Sequence, residues 1–308
     1  MLFGKYDFNC LFNSEAELPP YKGSTFRGAF GVALKKVTCA LKLRDCPGCP
    51  LVGRCVYFQV FENTTGDNHG SVARPHPFVI EPPETTKTRF SNGDEFNFSI
   101  LLFGFANSYL PYFIYAFEEM GKTGLGKRID GARAGYKVYS VTSNSSVVYE
   151  SSNRLITTGI EVDMPFNSQL APDDDEFEMT IQLDTPLRLK FRNQFNAHLP
   201  FHVFVRAMLR RISSINNEFG AGEPPLDYPG LVRRATEIKT TGSSLEWLDW
   251  TRFSNRQNAR MQLGGLVGDI TYHGKLSEFV PLIKYCEVVH IGKSTTFGLG
   301  KIKLTTGT

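Results

Sequence analysis

The four residues Gly-Leu-Gly-Lys occur twice in the chain, at 124–127 and at 298–301. Each copy follows an apolar stretch of helical period, at 107–120 and at 276–286, and precedes a β-patterned one, Tyr136-Lys-Val-Tyr-Ser-Val in the first case and Ile302-Lys-Leu in the second. Four matching residues are a weak signal, but the same match at the same point of two cycles indicates one supersecondary unit used twice. The rest of each cycle agrees. Residues 2–12 alternate around Phe3, Tyr6, Phe8, Cys10 and Phe12 as a half-buried strand does, and Pro19-Pro20 ends it. Phe26, Phe30, Val32, Ala33, Leu34 and Val37 then recur at helical spacing behind Ser24 or Thr25 as cap. Strands are expected at 56–61, 77–81 and 95–105, then the helix 107–120 and the strand from 136. The second cycle reads as strand 177–191, helix 200–217, a further helix around 230–239, strands 245–253 and 261–272, helix 276–286 and a closing strand from 302. Between about 142 and 175 the text turns to Ser, Asn, Thr and Pro and ends in the acid run Asp173-Asp174-Asp175-Glu176, which suits a connection. The expectation is an α+β chain of two tandem ferredoxin-like domains, each β-α-β-β-α-β, at 1–145 and 146–308, with a C-terminal glycine-rich loop at 292–300. At 308 residues there is room for both.

Thirty-four Lys and Arg against 31 Asp and Glu give a formal net charge of +3. That is too little to make the whole surface a trap for polyanions, so any nucleic-acid site must be local. No run approaches the roughly 18 apolar residues that cross a bilayer, and Lys5 and Asp7 stand where a secretory signal needs apolar residues. The expectation is a soluble, cytoplasmic protein without a membrane partner.

Gly-Lys-Thr at 121–123 and Gly-Lys-Ser at 292–294 look like the tail of a nucleotide-binding P-loop. That motif needs a glycine five residues earlier, where Ala116 and Glu287 stand, and a strand-loop-helix order that is reversed here. What remains is glycine-rich chain carrying Lys127 and Arg128 in one copy and Gly292, Lys293, Ser294, Thr295, Thr296, Gly298, Gly300 and Lys301 in the other. Backbone N–H groups, hydroxyls and ammonium groups so arranged can follow a phosphodiester chain. The alternative is a turn that only lets the chain pass tightly over a helix. Further basic residues interleave with aromatic ones: Arg188 and Arg192 on one face of a strand, and Arg252 and Arg256 after Trp247 and Trp250, a pattern suited to single-stranded RNA. Arg206, Arg210 and Arg211 dot a helix.

Four of the six cysteines fall in one segment, with the spacing Cys39-x6-Cys46-x2-Cys49-x5-Cys55. Four thiolates can close a structural zinc site or hold an iron–sulfur cluster, or the loop can be unliganded. No cofactor is expected in catalysis, since a closed site leaves no open position for a substrate. Among the six histidines, His290 alone adjoins the second glycine loop, either as proton donor or acceptor or as a strand-end packing residue.

Taken together, Tyr21-Lys-Gly-Ser-Thr-Phe-Arg-Gly-Ala-Phe-Gly, the Cys46-Pro-Gly-Cys49 loop, Met261-Gln-Leu-Gly-Gly-Leu-Val-Gly-Asp-Ile-Thr-Tyr and His290-Ile-Gly-Lys-Ser-Thr-Thr-Phe-Gly-Leu-Gly-Lys resemble the Cas6 endoribonucleases, RAMP proteins that cut CRISPR repeat RNA into guide units. The resemblance covers nearly the whole chain. It implies two ferredoxin-like domains of the RRM/RAMP kind, repeat RNA as partner, bound across their cleft, and metal-independent cleavage in which the ribose 2′-hydroxyl attacks its own phosphate. Members of the family often use a histidine in or after the first helix, and none lies between residues 20 and 60 here. That departure leaves open a site of Tyr21, Lys22, Arg27 and Lys35, a contribution from His290, or a monomeric or dimeric RAMP subunit that holds RNA beside other effector subunits without cutting.

Overall fold

The computed structural model describes every residue except 43–45, 63–73, 168–173, 190–197, 250, 255–258 and 307–308, and it divides into two units, Met1–Met164 and Pro165–Thr308. In the first unit, β1 (Leu2–Phe12) buries Tyr6, Phe8, Cys10 and Phe12 on one face and turns the odd-numbered residues outward, the period-2 pattern of a strand covered on one side. It is followed by α1 (Gly23–Thr38), β2 (Phe78–Glu81), β3 (Glu95–Phe103), α2 (Leu110–Thr123), β4 (Tyr136–Ser143) and β5 (Ser146–Glu150). The sheet order is β2-β3-β1-β4-β5, with antiparallel neighbours. The first four of those strands are the ferredoxin-like arrangement, in which the first strand sits between the third and the last. Both helices cover the buried face of β1 through interlocked phenylalanines: Phe8 stacks on Phe98 at 4.9 Å between centroids and meets Phe117 edge-on at 4.8 Å, and Phe30 stacks on Phe117 at 4.7 Å.

The second unit repeats the plan with β6 (Glu176–Leu187), α3 (Phe201–Phe219), a short α4 (Tyr228–Arg234), β7 (Lys239–Ser243), β8 (Gly265–Lys275), α5 (Val280–Val289) and β9 (Ile302–Thr306). Its sheet order, β7-β8-β6-β9, is the same permutation. Phe201 packs on Tyr272 at 4.7 Å and on Phe279 at 5.0 Å, and the Tyr272 hydroxyl donates to Leu199 O at 2.7 Å. The α+β class with two tandem ferredoxin-like units is therefore as expected.

The elements differ from expectation in four places. The division falls after Met164 rather than at 145, because β5 adds to the first sheet beside β4 and Val162–Asp163 pairs with the start of β1. Residues 56–61 form no strand: Phe58–Glu62 is one wide helical turn, and its buried Val60 and Phe61, with Tyr57 just before it, are spaced as on a helix face. The edge strand of the second sheet is β7, not 245–253; that stretch supplies Glu246–Leu248 on the flank of β8 and a separate hairpin, Thr251–Ser254 with Ala259–Gln262. Finally, α1 begins at Gly23 with Lys22 in the capping position, so Ser24 and Thr25 lie inside the first turn and do not cap it.

Candidate functional site

The C-terminal glycine loop is set by the end of α5. The helix stops at His290, whose backbone is turned to φ 55° and ψ 159°, and the chain then crosses to β9 through a short helical turn at Thr295–Phe297. The loop is anchored on the chain that leaves β6. Lys293 N–H donates to Arg188 O at 3.0 Å, Gly300 N–H to Pro186 O at 3.2 Å, the Thr185 hydroxyl to Gly298 O at 2.8 Å, and Lys301 N–H to the Thr185 hydroxyl oxygen at 2.9 Å. Gly298 (φ 80°) and Gly300 (φ 75°) occupy the left-handed region, and a Cβ on Gly300 would overlap Ile291 O. In the first unit Gly124 (φ 83°) and Gly126 (φ 78°) also have positive φ, and Leu125 and Leu299 are both buried between their glycines. The backbones nevertheless differ, with ψ 158° at Gly124 against 10° at Gly298, so the repeated tetrapeptide shares its need for glycine and not its shape.

Packing limits what the second loop can show to a partner. Thr295 and Thr296 are only 8% and 7% exposed, and Gly298, Leu299 and Gly300 are buried. The sequence left a phosphate-binding loop and a tight turn both open, and the structure holds something of each: Lys293 is exposed, Gly292, Ser294 and Lys301 are half-exposed, and the remainder is an internal brace. His290 belongs to that brace. It has no solvent exposure, and its Nδ1 lies 3.1 Å from Leu299 O, so the expected proton-transfer histidine is enclosed within its own loop.

Of the three arginines that dot α3, only Arg206 and Arg210 are exposed. Arg211 is buried, its Nε donating to Val289 O and His290 O at 3.1 Å each and its Nη2 to Val289 O at 2.8 Å. Burial lowers its pKa to about 10, still far above neutrality, so a cation sits on the last carbonyls of α5, where the helix dipole favours one. The signal was in the sequence: Phe204, Met208, Arg211 and Ile215 form one helical stripe, and the arginine interrupts an otherwise apolar face.

The first glycine loop enters a short hairpin, in which Leu125–Ile129 pairs with Ala132–Ala134. A Cβ on Gly126 would overlap Glu17 O, Lys127 is paired with Glu17 at 3.3 Å, and Arg128 is exposed. Arg188 is half-exposed with its Nη1 at 3.4 Å from Gly264 O; Arg252 lies on the hairpin opposite Met261, while Arg192 and Arg256 lie outside the described residues.

At the start of α1, Lys22 is fully buried and its Nζ donates to Pro20 O at 3.0 Å and Thr85 O at 2.6 Å; burial lowers its pKa. Tyr21 has its pKa raised by burial and by the charge of Glu81, so its hydroxyl keeps its proton. Arg27 lies 4.2 Å over the Phe61 ring, and Lys35 donates to Cys46 Sγ at 3.4 Å and faces the Tyr57 ring at 5.3 Å. The four candidates therefore share one helix without converging: Lys22 and Tyr21 are at its start, and Lys35 is committed to the cysteine segment a few turns away. Cys39, Cys46, Cys49 and Cys55 line one small cavity with free thiols, although among the described residues no three of His, Cys, Asp or Glu stand as a ready coordination shell. Among those residues, too, no helix is long and apolar enough to cross a membrane.

Known proteins match both units. A family model described as an N-terminal domain matches residues 1–160, and the model of the CRISPR-associated endoribonuclease Cas6 matches residues 181–302. The second unit is thus similar to the Cas6 family of CRISPR-associated endoribonucleases. A Cas6 product complex superposes with a TM-score of 0.56 at 13% identity over 99% of this chain and 100% of that one, and Thermus thermophilus Cas6 with 0.55 at 11% identity over 99% and 98%. A partial Cas6-RT-Cas1–Cas2 complex superposes with 0.58 at 14% identity over 99% of this chain and 46% of that one. An uncharacterized protein of Archaeoglobus fulgidus is 27% identical over 300 residues, 96% of this chain and 95% of its own length. The match in the second unit contains the whole of α5 and the glycine loop.

Proposed function

We propose that the protein binds CRISPR repeat RNA and cuts it without a metal ion, leaving a 2′,3′-cyclic phosphate and a 5′-hydroxyl end. The observation that carries the binding is the braced glycine loop, which holds Gly292, Lys293, Ser294 and Lys301 outward on a backbone tied to residues 185–188. A preorganised N–H, hydroxyl and ammonium array costs little ordering entropy when a phosphodiester settles on it. The cut needs a group to take the 2′ proton, one to protonate the leaving oxygen, and positive charge for the transition state. We assign these tasks to Tyr21 as donor and Lys22 as acceptor, adjacent at the start of α1, with Arg27 a turn further on supplying charge; Lys22 must first leave Pro20 O and Thr85 O. Lys35 is assigned to the cysteine segment and His290 to holding the loop.

A second reading, an RNA-holding RAMP subunit without cleavage, is favoured by one observation: Lys22 and His290 both lack solvent exposure. Incubating the purified protein with its repeat RNA in EDTA separates the two. A single cut whose 3′ fragment accepts phosphate from a polynucleotide kinase without prior phosphatase treatment supports the nuclease. Shifted but intact RNA supports the holder, and no shift at low salt refutes both.

A further inference from the structure

We propose that Cys39, Cys46, Cys49 and Cys55 bind one structural zinc ion as four thiolates. This inference stands apart from the RNA reading. Three short pieces of backbone bring the sulfurs to the same place. Cys39 caps the C-terminus of α1, with its N–H on Lys35 O at 2.9 Å. Cys46 and Cys49 flank Pro-Gly in a turn closed by Cys49 N–H to Cys46 O at 3.1 Å. Cys55 ends the Val52–Arg54 turn, with its N–H on Val52 O at 3.3 Å, and its own carbonyl accepts from Gln59 N–H at 3.0 Å. All four line one cavity, closed on another side by Tyr57 and Phe58. The other two cysteines, Cys10 and Cys286, are fully buried among apolar neighbours and have their thiol pKa raised by burial, the ordinary state of a cysteine that serves as a small hydrophobe. The four in the cavity are half-exposed and reach a common space instead.

Size and charge select the ligand. The cavity holds about 20 Å³, and in that measure a single water takes about 10–15 Å³. Four cysteines around one small space suit a single tetrahedral ion. The Lys35 ammonium donates to Cys46 Sγ at 3.4 Å and Lys36 follows in the same last turn of α1. Cations beside the site offset the excess negative charge of four thiolates around a divalent ion. Binding would draw the sulfurs to about 2.3 Å from the metal. It would also tie the segment after α1 to the turn at Phe58–Glu62, whose Phe61 ring lies where a Cβ on Gly31 would stand and carries Arg27 over its face.

The test uses the full-length, untagged protein purified without chelator. Elemental analysis is expected to give one zinc per chain, released in proportion as a mercurial blocks the thiols, and Cys46→Ser/Cys49→Ser is expected to lose it. Should that variant fail to fold, cobalt added alone to zinc-depleted wild type still decides: strong sulfur-to-cobalt charge-transfer bands with intense visible bands report a tetrahedral thiolate site and support the proposal. Metal-free protein with all four thiols titrating rapidly in the native state overturns it, as does iron with stoichiometric sulfide, or weak octahedral cobalt bands.

Discussion

Replacing Arg211 by methionine keeps most of the buried volume but removes every donor that the guanidinium presents to Val289 O and His290 O. Losing the partner of a buried acceptor costs about 1–3 kcal/mol, so two carbonyls give about 2–6 kcal/mol. Relief of the cation's own desolvation returns part of this, and about 3 kcal/mol is the expected net loss. For a unit of this size each kcal/mol moves the midpoint by about 2–4 °C, so the second unit is expected to melt about 10 °C lower. Calorimetry or urea unfolding followed by tryptophan fluorescence measures it. The loop that starts at His290 should loosen with the helix end, so repeat-RNA affinity is expected to fall at temperatures where the variant is still folded. Arg211→Lys, which keeps the charge but not the fork, is expected to fall between the two proteins. A methionine variant with wild-type midpoint and wild-type RNA affinity would refute the claim that this arginine holds the loop in place.

Lys293→Ala with Lys301→Ala is expected to weaken RNA binding and to flatten the dependence of log affinity on log salt by about 1.4, at about 0.7 for each single-strand phosphate no longer neutralised; an unchanged slope in a filter-binding titration would remove both ammonium groups from the interface. Gly28→Ala, on the exposed side of α1 with nothing within 4 Å of the new Cβ, is expected to stabilise the first unit by up to about 1 kcal/mol, whereas Gly300→Ala, at φ 75° against Ile291 O, should destabilise the second; urea midpoints moving together would contradict this. Tyr21→Phe is expected to slow cleavage about 100-fold with RNA affinity retained, the usual worth of a proton donor; full cutting by that variant would clear Tyr21 of the role. His290→Ala is expected to lower the melting midpoint and leave the shape of the pH–rate profile unchanged, and loss of one limb of the profile would restore this histidine to proton transfer.

Much of the fold is present in local pattern. The alternation in β1, the helical stripes of α2 and α3 and the doubled Gly-Leu-Gly-Lys are short-range signals, and the glycines need left-handed backbone wherever they occur. Where a run is too short to have a period, the sequence is ambiguous: the apolar residues 56–61 suit a strand or a helical turn, and packing of Phe61 onto Gly31 decided for the helix. The second edge strand was misplaced for a related reason, because β7 has no buried face and carries no alternation to find.

By itself the amino-acid order determined two β-α-β-β-α-β cycles, the grouping of four cysteines and the location of a basic glycine loop, since each depends on neighbours a few positions apart. Which groups on that loop meet solvent was decided only in three dimensions. Enclosure of His290 and the threonines, and the use of Arg211 as an internal clamp, follow from α3, α5 and the end of β6 closing on one another. Burial is a property of segments distant in sequence, and no local spacing encodes it.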